Sequence, residues 1–201
     1  MVNYKEYFDE QGIDYLTYRL LVDDLLLEGK TTGPDNSEAM LQYSKMNVQR
    51  MSRIDKTAAL NESLMSTISG LTKNYKFLVI TEGWCGDAAQ IIPVFNKIAT
   101  ESLGKIALRF VLRDKNLPLI DAHLTNGGRA IPVLIILNES ADQVLATWAP
   151  RPQVLQGLLS EWKKETSDMS ILSEKLHGWY AKDKTQTTQA ELTSLLKGLE
   201  G

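Results

Sequence analysis

The chain holds one cysteine, Cys85, in the run Trp84-Cys85-Gly86-Asp87. Upstream, Lys76-Phe77-Leu78-Val79-Ile80-Thr81 is a short β-branched run of the kind buried on both faces of a sheet. Downstream, residues 88–100 take up helical spacing through Ile91, Phe95 and Ile98, with Pro93 inside. Cys85 therefore falls where a strand turns into a helix. A thiol reacts as its thiolate, and unpaired N–H groups at a helix start favour that anion. Asp87 acts the other way if its carboxylate turns toward the sulfur; otherwise it is a first-turn acid that complements the helix dipole. One sulfur excludes an internal disulfide and any Cys-rich zinc or iron–sulfur site.

The elements that position Cys85 follow from period and punctuation. Residues 14–28 form an amphipathic helix that Asp14 caps and Gly29 stops. A breaker cluster at 29–36 ends in Asp35, which with Glu38 resembles a capping box. Residues 35–72 keep helical spacing as one long or kinked helix that weakens near Gly70. After residues 76–81 and the helix at 88–100 come a strand at 106–112, a short segment at 116–124, and a strand at 133–137. Asn138-Glu139-Ser140 then turns into a strand at 143–147, and Pro150-Arg151-Pro152 opens a helix to about residue 165. Two further helices are predicted at 171–180 and 188–199, the second opened by Thr188 with Glu191 three residues on.

Trp84-Cys85-Gly86-Asp87 after one buried strand, paired with Arg129-Ala130-Ile131-Pro132-Val133 before another, resembles the thioredoxin family over residues 40–166. The resemblance implies an α/β fold with a mixed sheet flanked by helices. The divisions are a helical extension at 1–35, the thioredoxin-like domain at 36–166 and a helical tail at 167–201. It also implies a cis Pro132 beside Cys85 and a groove for a partner, with Trp84, Gly86, Asp87, Ile131 and Pro132 as its contacts. The family's second cysteine falls at Ala88, and the buried acid that thioredoxins carry six residues before the first cysteine falls at Val79. A dithiol cycle is impossible. What remains is a monothiol mixed-disulfide site, with Cys85 as nucleophile and an external thiol such as glutathione or a partner cysteine to resolve it. The alternative is a binding module that kept the groove and lost the catalysis.

Other residues read more plainly. In the thioredoxin-like arrangement His123 lies on a helix away from Cys85 and His177 lies in the tail, so neither is expected to activate the thiol. Arg129 is a surface arginine unless it pairs with Asp87 or Glu82. Trp148 anchors a helix, and Met40, Met46, Met51 and Met65 are core residues at helical positions.

At 201 residues the chain fits one domain with additions or two small ones, and 43% apolar with 23% charged residues is the composition of an ordinary folded protein. A net charge of −3 gives no broad positive field, so neither nucleic acid nor a membrane surface is an expected partner. The expected partner is a protein, or a low-molecular-weight thiol or disulfide. The acid near the N-terminus and the lone cysteine lead to the expectation of a cytoplasmic protein with no metal and no resident cofactor.

Overall fold

In the computed structural model, which describes residues 2–201, four strands form one mixed sheet in the order β2-β1-β3-β4. They are β1 (Tyr75–Thr81), β2 (Ile106–Leu112), β3 (Val133–Asn138) and β4 (Val144–Trp148). β1 pairs parallel with β2 and antiparallel with β3, and β3 pairs antiparallel with β4. The central strands explain their sequence: Phe77, Leu78, Val79 and Ile80 of β1 and Val133 to Leu137 of β3 have no exposed surface. Each such side chain contributes roughly 1.5–3 kcal/mol of burial. Pairing of Ile80 with Val133 sets Ile131 and Pro132 just beyond the end of β1, where the chain turns toward Cys85.

The helices are α1 (Tyr4–Glu6), α2 (Tyr15–Leu27), α3 (Glu38–Thr57), α4 (Glu62–Ser69), α5 (Gly86–Glu101), α6 (Leu117–Asp121), α7 (Gln153–Glu165), α8 (Met169–Asp183) and α9 (Gln186–Glu200). A π-helical turn at Tyr7–Gln11 continues α1. Asp14 caps α2 by accepting from Thr17 N–H at 2.8 Å, and Gly29 takes up a φ of +69° just past its end. None of the helices among the described residues is long and apolar enough to cross a membrane.

Several predicted helix boundaries move. The cap of α3 is Ser37, and Asp35 accepts from Ser37 N–H rather than capping the helix itself. The stretch after it is two helices, because Ala58 turns extended and Asn61 caps α4 by accepting from Leu64 N–H at 2.9 Å. Gln189 of α9 holds this break, donating to Ala59 O at 3.0 Å and accepting from Asn61 N–H at 2.8 Å. α9 itself begins at Gln186, before Thr188. Glu191 leaves the expected capping box to accept from Trp148 Nε1 and from Gln153 N–H, both at 2.7 Å, and so satisfies the start of α7.

Both terminal additions share the central core. Ile13 and Phe110 exchange backbone hydrogen bonds at 2.9 and 2.8 Å along the outer edge of β2, and Tyr18 stacks on Phe110. Glu200 at the other end accepts from the Tyr75 hydroxyl at 2.6 Å. Leu172, Leu176, Tyr180, Leu192 and Leu196 of α8 and α9 belong to the same buried cluster as β1 and β3.

Candidate functional site

Cys85 is the N-cap residue of α5. Its backbone is still extended at φ −82° and ψ 118°, and its Sγ accepts from Ala88 N–H at 3.4 Å. The thiol donates to Ile131 O at 3.3 Å, so the strand-end Cys and the Ile-Pro segment do meet. The Ile131–Pro132 peptide bond is cis. Only 7% of Cys85 is exposed. Burial pushes its thiol up to about 12, and the Asp87 charge adds to that; the N–H groups of Ala88 and Asp87 and the Arg151 cation pull it back only in part. The helix start helps the anion, but desolvation outweighs it.

Asp87 finds its hydrogen-bond partners elsewhere than at the sulfur. Its carboxylate accepts from Arg151 Nε at 3.1 Å, Arg151 Nη2 at 2.6 Å and the Tyr180 hydroxyl at 2.6 Å. This nearly buried ion pair ties α5 to the loop after β4 and to α8. Arg129, the candidate partner from sequence, instead forks onto Asp121 at 2.6 and 2.9 Å on the surface. Arg129, in the segment before β3, stays on the surface, whereas the turn after β4 delivers Arg151.

Trp84 is half-buried. The Arg113 guanidinium lies 4.6 Å over its ring, and Gly33 of the loop before α3 approaches so closely that a Cβ there would stand 2.5 Å from Trp84 Nε1. Beneath this contact lies Glu82, fully buried, accepting from the Thr32 hydroxyl and from Asp114 N–H at 2.9 Å. Burial raises its carboxyl to about 7 against the help of those two donors. The N-terminal loop therefore reaches the same turn that presents Cys85.

A groove of about 980 Å³ opens between α3 and α8, with Trp84, Cys85 and Gly86 at its base. Gly86 permits the approach of the two helices: a Cβ there would stand 2.2 Å from Tyr43 Oη and 3.0 Å from the His177 ring. Ile131 and Pro132 are buried behind Cys85 and do not line the groove, nor does Asp87. The six residues singled out by sequence thus divide into three on the groove, two behind the thiol and one in the ion pair.

His177 reaches the site, which its place in the tail does not foretell. Although in the tail, it lies at the base of the groove, with Nε2 3.0 Å from Tyr43 Oη and Nδ1 3.0 Å from Gln90 Nε2. Burial, together with the Arg50 charge, depresses it to about 4, so the imidazole is neutral and both its nitrogens are occupied. It supports the groove rather than deprotonating Cys85. His123 falls just past the end of α6 rather than on a helix, and pairs with Tyr4 at 2.9 Å. Met40 and Met46 line the groove, Met46 being 44% exposed, while Met51 is core as expected. Tyr43 and Arg50 were not singled out from sequence. The spacing 40, 43, 47, 50 on α3 marks them as one face, but nothing local says what that face meets.

A single strand-end cysteine at a helix start, backed by an Ile-Pro segment just before the neighbouring strand of a mixed sheet, is the arrangement of a thioredoxin-like α/β protein. A family model described as thioredoxin matches residues 33–163, and the chain belongs to that family. Two solved structures share the fold across nearly the whole chain. A Pseudomonas aeruginosa protein of unknown function matches with a TM-score of 0.65 and 18% identity, over 98% of this chain and 99% of its own. An HIV epitope scaffold matches with a TM-score of 0.62 and 16% identity over the same shares. The helical additions are thus part of the shared fold. No curated protein matches the chain in sequence.

Proposed function

We propose that the protein is a thioredoxin-fold binding module in which Cys85 is a protonated thiol at the base of the α3–α8 groove. The observation that carries this reading is the bonding of Cys85: its proton goes to Ile131 O, it is nearly buried, and its thiol sits at about 12, far above the range of an activated nucleophile. Ala88 in place of a resolving cysteine and Val79 in place of a buried acid support it. The test is the rate of alkylation of Cys85 against pH in the folded chain. The expected result is slow reaction with a midpoint at or above the free-thiol value of ~8.5.

The second reading is monothiol exchange, in which the Cys85 thiolate attacks a disulfide, forms a mixed disulfide and expels the other sulfur as thiolate, with glutathione or a partner thiol releasing it afterwards. Its support is that Cys85 lines the groove and that Ala88 N–H points at its sulfur. Fast alkylation with a midpoint well below the free value, together with glutathionylation at Cys85 by oxidised glutathione, would replace the binding reading with this one.

A further inference from the structure

The polar groups of the groove are unequal in an informative way. Arg50, half-buried on α3, has no carboxylate partner among the described residues. Its Nη1 donates to Asn47 Oδ1 at 2.6 Å, and its guanidinium lies 5.2 Å over the Tyr43 ring. Asn47 is fully buried and fixed from its other end, where Nδ2 donates to Gly83 O at 3.1 Å. The guanidinium is therefore held in place by neutral groups, with most of its five donors free.

The Tyr43 hydroxyl is a donor as well. Gln90 Oε1 accepts from Arg53 Nη2 at 3.4 Å, which turns the Gln90 amide nitrogen to His177 Nδ1. Nδ1 is then the acceptor, so the neutral ring carries its proton on Nε2 and donates to Tyr43 Oη. The Tyr43 proton is left with only a long 3.4 Å contact to Ser173 Oγ. Asp35 and Glu174 also line the groove, but both are exposed at its rim and neither pairs with Arg50. The walls carry Met40, Met46 and Met169, the last 72% exposed, and thioether side chains adapt to apolar bodies of varied shape. A volume near 980 Å³ falls in the range of small-molecule sites, about 300–1,000 Å³.

We infer that the groove binds an amphipathic carboxylate, a small acid whose head group is taken by Arg50 and the Tyr43 hydroxyl and whose apolar body lies against the three methionines. This rests on the binding-module reading above. A guanidinium already partly desolvated and carboxylate-free gains a charge-assisted partner that can accept two of its N–H groups, which a neutral ligand of the same body cannot supply.

The test is methionine-methyl NMR of the full chain, titrated separately with decanoate and decanol below their solubility limits. Decanoate is expected to shift the Met40, Met46 and Met169 signals and to bind at least about tenfold tighter than decanol, the effect of one charge-assisted hydrogen bond. Arg50→Gln is expected to remove that ratio while leaving decanol binding intact, which also shows that the variant is folded. Tyr43→Phe is expected to reduce the ratio by a smaller factor. Met169→Asp, at an exposed position, is expected to weaken both probes. Equal affinities for the two probes, or a ratio that survives in both Arg50→Gln and Tyr43→Phe, overturns the inference and leaves the groove as an apolar binding site. No shift with either probe also overturns the inference, whereas the binding-module reading stands or falls on the alkylation profile of Cys85.

Discussion

The first turn of α5 has two sides with opposite polar economies. On one side Asp87 is bound by Arg151 and Tyr180 through three hydrogen bonds, in a setting with little water. On the other, Arg50 and the Tyr43 hydroxyl face an open groove without a charged partner. The two sides are separated by little more than Gly86. A saturated network fixes geometry, whereas an unsaturated one in a half-buried groove retains capacity for a ligand. The Asp87 side is thus the structural member of the site, and it holds α8, with His177, against α5.

The largest effect should come from breaking the saturated side. Asp87→Ala strands the Arg151 cation and the Tyr180 hydroxyl, and loss of one member of a buried pair costs about 3–5 kcal/mol. Equilibrium denaturation should show that loss, together with looser protection of the α8 amides in hydrogen exchange. A cost under about 1 kcal/mol, the range of surface ion pairs, would mean that the two sides do not differ.

Gly86→Ala probes the boundary between them. The added methyl must displace Tyr43 Oη, 2.2 Å from the new Cβ, and the His177 ring at 3.0 Å. Overpacking of this kind costs about 1–3 kcal/mol, less than Asp87→Ala because the Tyr43 side chain can swing into the groove. If it does swing, the His177 proton signal moves as its bond to Tyr43 is lost. An unchanged His177 environment would show that the groove does not depend on the close approach at Gly86.

The two sides also differed in how far they could be read from sequence. Cys85 and its turn were legible because a buried β-branched run, a breaker-containing turn and a helical period are local signals, and the Ile131-Pro132 segment came with the family resemblance. Asp87 was read correctly as a first-turn acid, but its partner was not found. Arg129 and Arg151 are equally plausible along the chain, and the choice is made by which strand end faces α5. His177 does lie in the tail, and its approach to the groove is not legible locally because its contacts with Tyr43 and Gln90 span 134 and 87 residues. The break between α3 and α4 was missed for a similar reason. Ala58-Ala59-Leu60 has no helix breaker, and the gap is held by the Asn61 cap and by Gln189 from α9.

The smallest effect expected is on pH dependence, because the buried Glu82 and the half-buried His177 oppose each other. Glu82 has its carboxyl raised to about 7 from an ordinary value of 4.5, so between those limits the folded state holds a proton that the unfolded chain releases. Stability from this group is full below pH 4.5 and is lost as pH rises toward 7. His177 is depressed to about 4 from 6.5, so over that interval the unfolded chain holds the extra proton. Its contribution is full above pH 6.5 and is lost as pH falls toward 4. Between pH 4.5 and 6.5 the slopes have opposite sign, which flattens the wild-type curve. Glu82→Gln should expose a rise in stability with pH over 4–6.5, and His177→Gln a fall over 4.5–7, each measured as the denaturation midpoint against wild type. Parallel curves for wild type and both variants would mean that neither group is held away from its ordinary ionisation. The turn at Cys85 would then be far more open to water than its packing implies, and the same openness would return the thiol to the range where exchange chemistry competes with binding.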